Sequence, residues 1–123
     1  MSLRSAFISY SSDGSIKANQ VSGYLKPMGV DTFLFEKDLD SGGHPSIKIR
    51  DAIRGRDALI MVLSAKSRQS HWVSHELGLA SGMDKKILII KTAHNLKLPD
   101  YIDTYNVIVL SKLEDLDSYF ESV

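Results

Sequence analysis

The 123-residue chain has no cysteine. That removes a disulfide framework, a thiolate nucleophile and a Cys-based zinc site together, and it fits a cytoplasmic protein. Charge of neither sign dominates: Lys+Arg and Asp+Glu are 15 each, so the formal net charge is zero. A nucleic-acid binder usually carries a basic stripe, so nucleic acid is not an expected partner. No apolar run is long enough to span a bilayer and no signal peptide opens the chain, so no membrane is expected either. Internal repeats, low-complexity tracts and linkers are missing. So are the P-loop pattern G-x-x-x-x-G-K-[ST] and the hydrolase pattern G-x-S-x-G. At 43% hydrophobic residues, the length fits a single domain, residues 1–123, with a real core.

What is present is an alternation of short apolar runs with helical spacings. Ala6-Phe7-Ile8-Ser9-Tyr10 reads as a buried strand, followed by a turn-rich Ser11-Ser12-Asp13-Gly14-Ser15 loop. Ala18, Val21, Leu25 and Met28 recur at helical spacing, closed by Pro27 and Gly29. Residues 30–35 read as a second strand and 36–44 as a long polar loop. Pro45 suits the first turn of a helix that carries Ile49, Ala52 and Ile53 and that Gly55 ends. Ala58-Leu59-Ile60-Met61-Val62-Leu63 is continuously apolar, as in a central parallel strand covered on both faces. Residues 86–90 and 105–110 supply two further strands, with a short irregular or helical piece between them. Ser111 and Glu114 are spaced as a capping box for a last helix whose inner face is Leu113, Leu116 and Phe120. This order predicts an α/β, flavodoxin-like three-layer fold with a five-stranded, mostly parallel sheet. In such sheets ligands bind at the carboxyl ends of the strands, near the switch in strand order. The loops after Tyr10, Phe35 and Leu63 converge on that rim.

The stretch 70–83, Ser-His-Trp-Val-Ser-His-Glu-Leu-Gly-Leu-Ala-Ser-Gly-Met, reads as a helix advancing about 100° per residue. Trp72, Glu76, Leu79 and Met83 then form one stripe, and Val73, Leu77 and Ala80 the stripe beside it. Ser74, His75, Gly78, Ser81 and Gly82 lie on the other side. Glu76 thus falls inside the apolar arc, where a carboxylate must find partners, shift its pKa or line a cavity. The alternative is a half-exposed glutamate at the polar flank, paired with Lys or Arg.

Several chemistries of flavodoxin-like sheets can be weighed. A phosphoreceiver needs an Asp ending the third strand, and here that strand ends Leu63-Ser64-Ala65. A mononucleotide flavin site would use Ser9, Ser11, Ser12 and Ser15 as phosphate-binding hydroxyls, although Ser-rich loops are more often only turns. His71 and His75 have the i, i+4 spacing of metal ligands, but no third ligand is suggested, so no metal site is expected.

The same residues resemble a TIR (Toll/interleukin-1 receptor/resistance protein) domain. Ala6 to Ser11 looks like the family's opening strand and the loop after it. Gly29 to Phe35, followed by Glu36-Lys37-Asp38-Leu39-Asp40-Ser41-Gly42, looks like its second strand and BB loop. Ala58 to Ser64 matches the third strand, and Trp72-x-x-x-Glu76-Leu77 matches the tryptophan and glutamate of the catalytically active branch. The resemblance covers nearly the whole chain. It implies one of two functions. Active TIR domains are NAD⁺ glycohydrolases, some of which cyclise the ADP-ribose product into a signal. Others are adaptors that assemble through the BB loop without chemistry. The glutamate favours the enzyme, and likeness to compact prokaryotic domains points to immune or antiphage signalling.

On that resemblance Glu76 is the catalytic residue, and NAD⁺ is a substrate, with no cofactor implied. Nicotinamide departs from NAD⁺ as a neutral molecule, so no general acid is needed, unlike an ordinary glycoside with its two carboxyl groups. One carboxylate suffices to orient the ribose hydroxyls and steady the oxocarbenium-like charge. Tyr10, Ser11, Ser12, Phe35, Asp40 and Trp72 are the implied NAD-binding residues. Phe35 would stack on a base ring, and Trp72 would be a pocket wall or simply a core aromatic. In some relatives arginines follow the tyrosine; here Ser11 and Ser12 would give hydrogen bonds in place of ion pairs. Asp38, Leu39 and Gly42 belong to the loop implied in gating and assembly, with Gly42-Gly43 giving it hinge freedom. Its Ser41-Gly42 replaces the Pro-Gly common in the family. Activity is expected to depend on self-association with other TIR domains, triggered by a partner or a fused sensor domain.

Overall fold

The computed structural model describes residues 3–36 and 46–120, with the backbone alone at 46 and 47. Five strands form one sheet: β1 (Ser5–Tyr10), β2 (Asp31–Glu36), β3 (Ala58–Leu63), β4 (Lys86–Lys91) and β5 (Val107–Leu110). Their order is β2-β1-β3-β4-β5, and every neighbouring pair is parallel. The chain steps outward from β1 to β2, crosses back to β3 and continues the other way. The strand order therefore reverses between β1 and β3, which is where a doubly wound sheet opens a crevice at its carboxyl edge.

Among the described residues four α-helices flank the sheet: α1 (Ser15–Leu25), α2 (Ser46–Arg54), α3 (Ala65–Arg68) and α4 (His71–Gly82). Strand alternation divides the apolar side chains between two cores. Ala6, Ile8, Ile60, Val62 and Leu88 meet Val21 and Leu25 of α1 and Leu116 near the C-terminus. Phe7, Leu59, Met61, Leu63, Ile87 and Ile89 meet Ile53 of α2 and Val73, Leu77 and Ala80 of α4. All six residues of β3 are buried, as its unbroken apolar run requires. Each fully buried Leu or Ile contributes about 1.5–3 kcal/mol relative to exposure.

The ends of these elements follow local chemistry. After α1 the chain tightens into a 3-10 turn, Lys26–Met28, and Gly29 takes φ 82°. That left-handed conformation favours glycine. It lets Gly29 N–H donate to the Lys26 carbonyl at 2.9 Å and turns the chain into β2.

Two expectations need correction. The segment after β3 is not a plain loop: Ser64 caps α3, its Oγ accepting Ser67 N–H while Ser67 Oγ accepts Ser64 N–H at 2.8 Å. The last element is a 3-10 helix, Leu113–Ser118, and its capping group is Asp115 in place of Glu114. The Asp115 carboxylate accepts Ser111 N–H at 2.9 Å and Lys112 N–H at 3.2 Å. Asp115 takes both donors through one oxygen because the helix cap is Lys112, one residue later than Ser111, which makes Asp115 and not Glu114 the helix's third residue. Leu116 and Phe120 still pack inward, and the piece between β4 and β5 is a 3-10 helix, Asp100–Thr104. No helix among the described residues is long and apolar enough to cross a membrane.

Candidate active site

α4 starts at Ser70, which has extended backbone and accepts Trp72 N–H on its Oγ at 3.2 Å. From that start the helical period turns Val73, Glu76, Leu77 and Ala80 toward the sheet and leaves His71, Ser74, His75, Gly78, Ser81 and Gly82 outside. Trp72, Leu79 and Met83 lie at the margin, half-buried. Glu76 is 0% exposed, the one buried ionisable side chain among the described residues. It is not the flank glutamate that the alternative required.

Directly across from it stands Ser9 of β1, also 0% exposed. Its hydroxyl donates to Glu76 Oε1 at 2.6 Å. That length is typical of an O–H donor on a carboxylate, a bond roughly twice as strong as its neutral counterpart. The setting explains the need: in register beside Ser9 are Phe35 on β2 and Met61 on β3. Carboxylates in such apolar surroundings cost several kcal/mol unless donors meet them. The sequence places Ser9 in the first strand and offers it, with Ser11, Ser12 and Ser15, only as a phosphate-binding hydroxyl. The signal that distinguishes it is parity, since it shares Phe7's inward face on a central strand where an apolar residue is the norm.

Phe35 is half-buried on this same face, its ring 5.7 Å from that of Phe7. Trp72 packs against the same core, with the His71 ring 5.3 Å and the His75 ring 5.4 Å from its own. Both histidines are exposed, and no group of three or more potential metal-binding side chains occurs among the described residues. Ser9, Phe35, Trp72 and Glu76 are thus brought onto one side of the sheet. Tyr10 ends β1 at the same rim but packs on the α1 side. Its phenol is raised above its ordinary value by burial and, secondarily, by the Glu36 charge. Ser11 is buried and Ser12 exposed. Asp38, Leu39, Asp40 and Gly42 lie outside the described residues.

A second polar group at the rim was not anticipated. Asp13 accepts Ser64 Oγ at 2.6 Å and Lys66 N–H at 3.0 Å, and Lys66 Nζ donates to Ser12 Oγ at 3.0 Å. These bonds tie the loop after β1 to α3 across the strand-order switch. Gly14 fits closely beside them: a Cβ there would come within 3.2 Å of Val62 Cγ1, so that methyl would have to give by a few tenths of an ångström. The serine loop is thus a tie between β1 and α3.

A cleft of about 790 Å³ opens at the opposite, amino-terminal edge of the sheet. Arg4, Lys85 and Lys86 line it together with Asp57 and Asp84, and none of the sequence-predicted site residues is among its walls. Its acids are exposed, so water screens them. Size alone does not make it the chemical centre; the desolvated acid lies on the α4 side of β1.

A doubly wound sheet with one acid sealed beneath the carboxyl end of its first strand defines a flavodoxin-like α/β domain with an internal carboxylate. The chain belongs to the TIR domain family, whose model matches residues 6–122. Among solved structures it is similar to the TIR domain of the Toll-related receptor TRR-2 from Hydra magnipapillata, at 20% identity over 94% of this chain and 90% of that one, with a TM-score of 0.66. It is similar as well to the CMP N-glycosidase BcmB of Clostridium botulinum, at 21% identity over 90% of this chain and 98% of that one, with a TM-score of 0.63. A diflavin flavoprotein A3 from Nostoc sp. shares 14% identity over 97% and 86% of the two chains, with a TM-score of 0.60. At these identities the likeness is one of fold. No curated protein matches the chain.

Proposed function

We propose that this TIR domain is an enzyme that cleaves NAD⁺ between nicotinamide and ribose, with Glu76 as its catalytic residue. The observation that carries this reading is a carboxylate with no exposed surface, held by Ser9 on the α4 side of the central strands. Nothing in packing requires an acid there, since Leu or Met would fill the position without desolvation cost. Fold likeness to an N-glycosidase that acts on CMP supports cleavage of a nucleotide's N-glycosidic bond as chemistry this architecture accommodates.

In the proposed reaction the C–N bond breaks with its electron pair passing to the pyridine nitrogen, so neutral nicotinamide leaves. Positive charge develops on the ribose, and the Glu76 carboxylate faces it in a low-dielectric setting where one charge has large effect. Water attacks the anomeric carbon and loses a proton, giving ADP-ribose; attack by a group of the same molecule gives a cyclic product. Trp72 and Phe35 supply flat apolar walls, and Tyr10, Ser11, Ser12 and Asp40 polar contacts. Asp38, Leu39 and Gly42 serve assembly with other TIR domains. Self-association, a fused sensor domain, cytoplasmic location and a role in immune or antiphage defence complete the proposal.

The test is incubation of concentrated or artificially clustered protein with NAD⁺, following nicotinamide by chromatography and the second product by mass spectrometry. Release per molecule is expected to rise with protein concentration. Glu76→Ala is expected to lower it by about 10²-fold or more, the scale of losing one preorganised electrostatic group. A clustered sample with no turnover would instead mark the domain as a non-catalytic adaptor.

A further inference from the structure

Ser9 is a residue of which neither strand packing nor loop chemistry gives an account. It occupies an inward position of a central strand, between Phe35 and Met61 in register. Its hydroxyl reaches across 67 residues to the acid of α4. We infer that Ser9 is a positioning residue for the glycosidic chemistry: its hydroxyl fixes the rotation of the Glu76 carboxylate and thereby the direction in which its charge is presented. The inference rests on the NAD⁺-cleaving reading above.

The physical argument has three parts. A glutamate side chain has three rotatable bonds, and its terminal carboxylate torsion is soft. A helix backbone therefore places Cα well but leaves the oxygens free to swing. A hydroxyl on a β-strand has a single torsion and a backbone pinned on both sides by parallel neighbours. A 2.6 Å bond from that hydroxyl to Oε1 transfers the rigidity of β1 to the reactive group of α4. The bond also has an acceptor-only partner when Glu76 is ionised, so the Ser9 hydrogen is committed to the carboxylate. Misplacing a reacting group by about 1 Å costs on the order of 10²-fold in rate, which is the scale at which such a tether matters. Ser9 touches no reacting atom in this scheme; it acts through Glu76.

A positioning role is separable from a merely structural one. In the clustered full chain, Ser9→Ala and the near-isosteric Ser9→Cys, a weak donor, are expected to lower kcat for nicotinamide release by about 10–100-fold. KM for NAD⁺ should stay within about threefold, with rates scaled to the folded fraction from circular dichroism. Ser9→Thr restores the hydroxyl and is expected to recover most of the loss. Wild-type kcat in Ser9→Cys and Ser9→Ala, with Glu76→Ala inactive, would overturn the positioning role and leave the enzymatic reading standing. So would a raised KM at unchanged kcat, or equal losses in Thr and Ala. If Ser9→Ala does not fold, Ser9→Cys against Ser9→Thr carries the same comparison. Wild-type protein without turnover, or turnover indifferent to Glu76→Ala, overturns the enzymatic reading itself and this inference with it.

Discussion

A carboxylate with no exposed surface is balanced by what touches it, and for Glu76 that includes the Ser9 hydroxyl. Removing the donor leaves part of the desolvation cost unmet, which for a buried polar group is about 1–3 kcal/mol. Ser9→Ala is therefore expected to destabilise the fold by that amount in urea denaturation, read as a lower midpoint at unchanged slope. An exposed serine such as Ser74, on the outer side of the same helix, should move it by less than about 0.5 kcal/mol when replaced by Ala. Equal effects at the two positions would show that the buried bond contributes nothing net. Asp13, an exposed carboxylate, joins two elements, since it accepts from Ser64 and from the Lys66 backbone. Asp13→Ala is expected to cost about 1 kcal/mol through loss of these bonds and to raise hydrogen exchange first at Lys66.

Among the elements, α4 combines the two requirements of a site: it is packed hard on one side and starts sharply. Leu77 is fully buried against β3 and β4 side chains. Leu77→Ala is expected to cost about 2–5 kcal/mol, from lost transfer energy and the cavity left behind. Ser70→Ala removes the acceptor of Trp72 N–H and should cost about 1 kcal/mol, with fraying confined to the turn that carries Trp72. This helix was legible in the sequence because its cap, period and apolar arc all agree, and the same arithmetic put Glu76 inside. The five strands and their parallel order were legible for a similar reason, since apolar runs alternate with helical spacings. What escaped was short and held by side chains. α3 has four residues, too few to show a period, and its Ser64/Ser67 pair lacks the Glu or Gln that usually marks a capping box. At the C-terminal turn Glu114 and Asp115 are adjacent acids, and only the helix start, capped at Lys112 in place of Ser111, decides which one meets the free N–H groups. The Ser9–Glu76 bond is a pairing between residues 67 apart, and sequence gives parity for each partner but not their meeting.

Across the whole molecule, three phenols tie distant parts of the fold to one titration. Tyr10 lies at the end of β1, raised above the ordinary 10.0 by burial and then by Glu36. Tyr24 of α1 donates to Asp117 Oδ1 at 2.8 Å, and that bond is the main cause of its rise. Tyr101, between β4 and β5, is raised by burial and then by Tyr105, with Arg68 opposing. All three keep their protons to higher pH when folded than when unfolded. Above the ordinary value the unfolded chain has therefore released protons that the folded chain retains, and stability falls as pH rises. This contribution is fully present below pH 10.0 and is lost as pH climbs through the folded values. A two-state domain of this size transmits the loss globally, so thermal melting should show one transition that moves down together by near-ultraviolet and far-ultraviolet dichroism. Lysine titration adds a background common to any variant. Replacing Tyr10, Tyr24 and Tyr101 by Phe is expected to make the alkaline fall in Tm shallower than in the wild type, with no change in its slope at neutral pH. An identical alkaline slope in the two proteins would mean that the phenols are equally easy to ionise in the folded and unfolded chains.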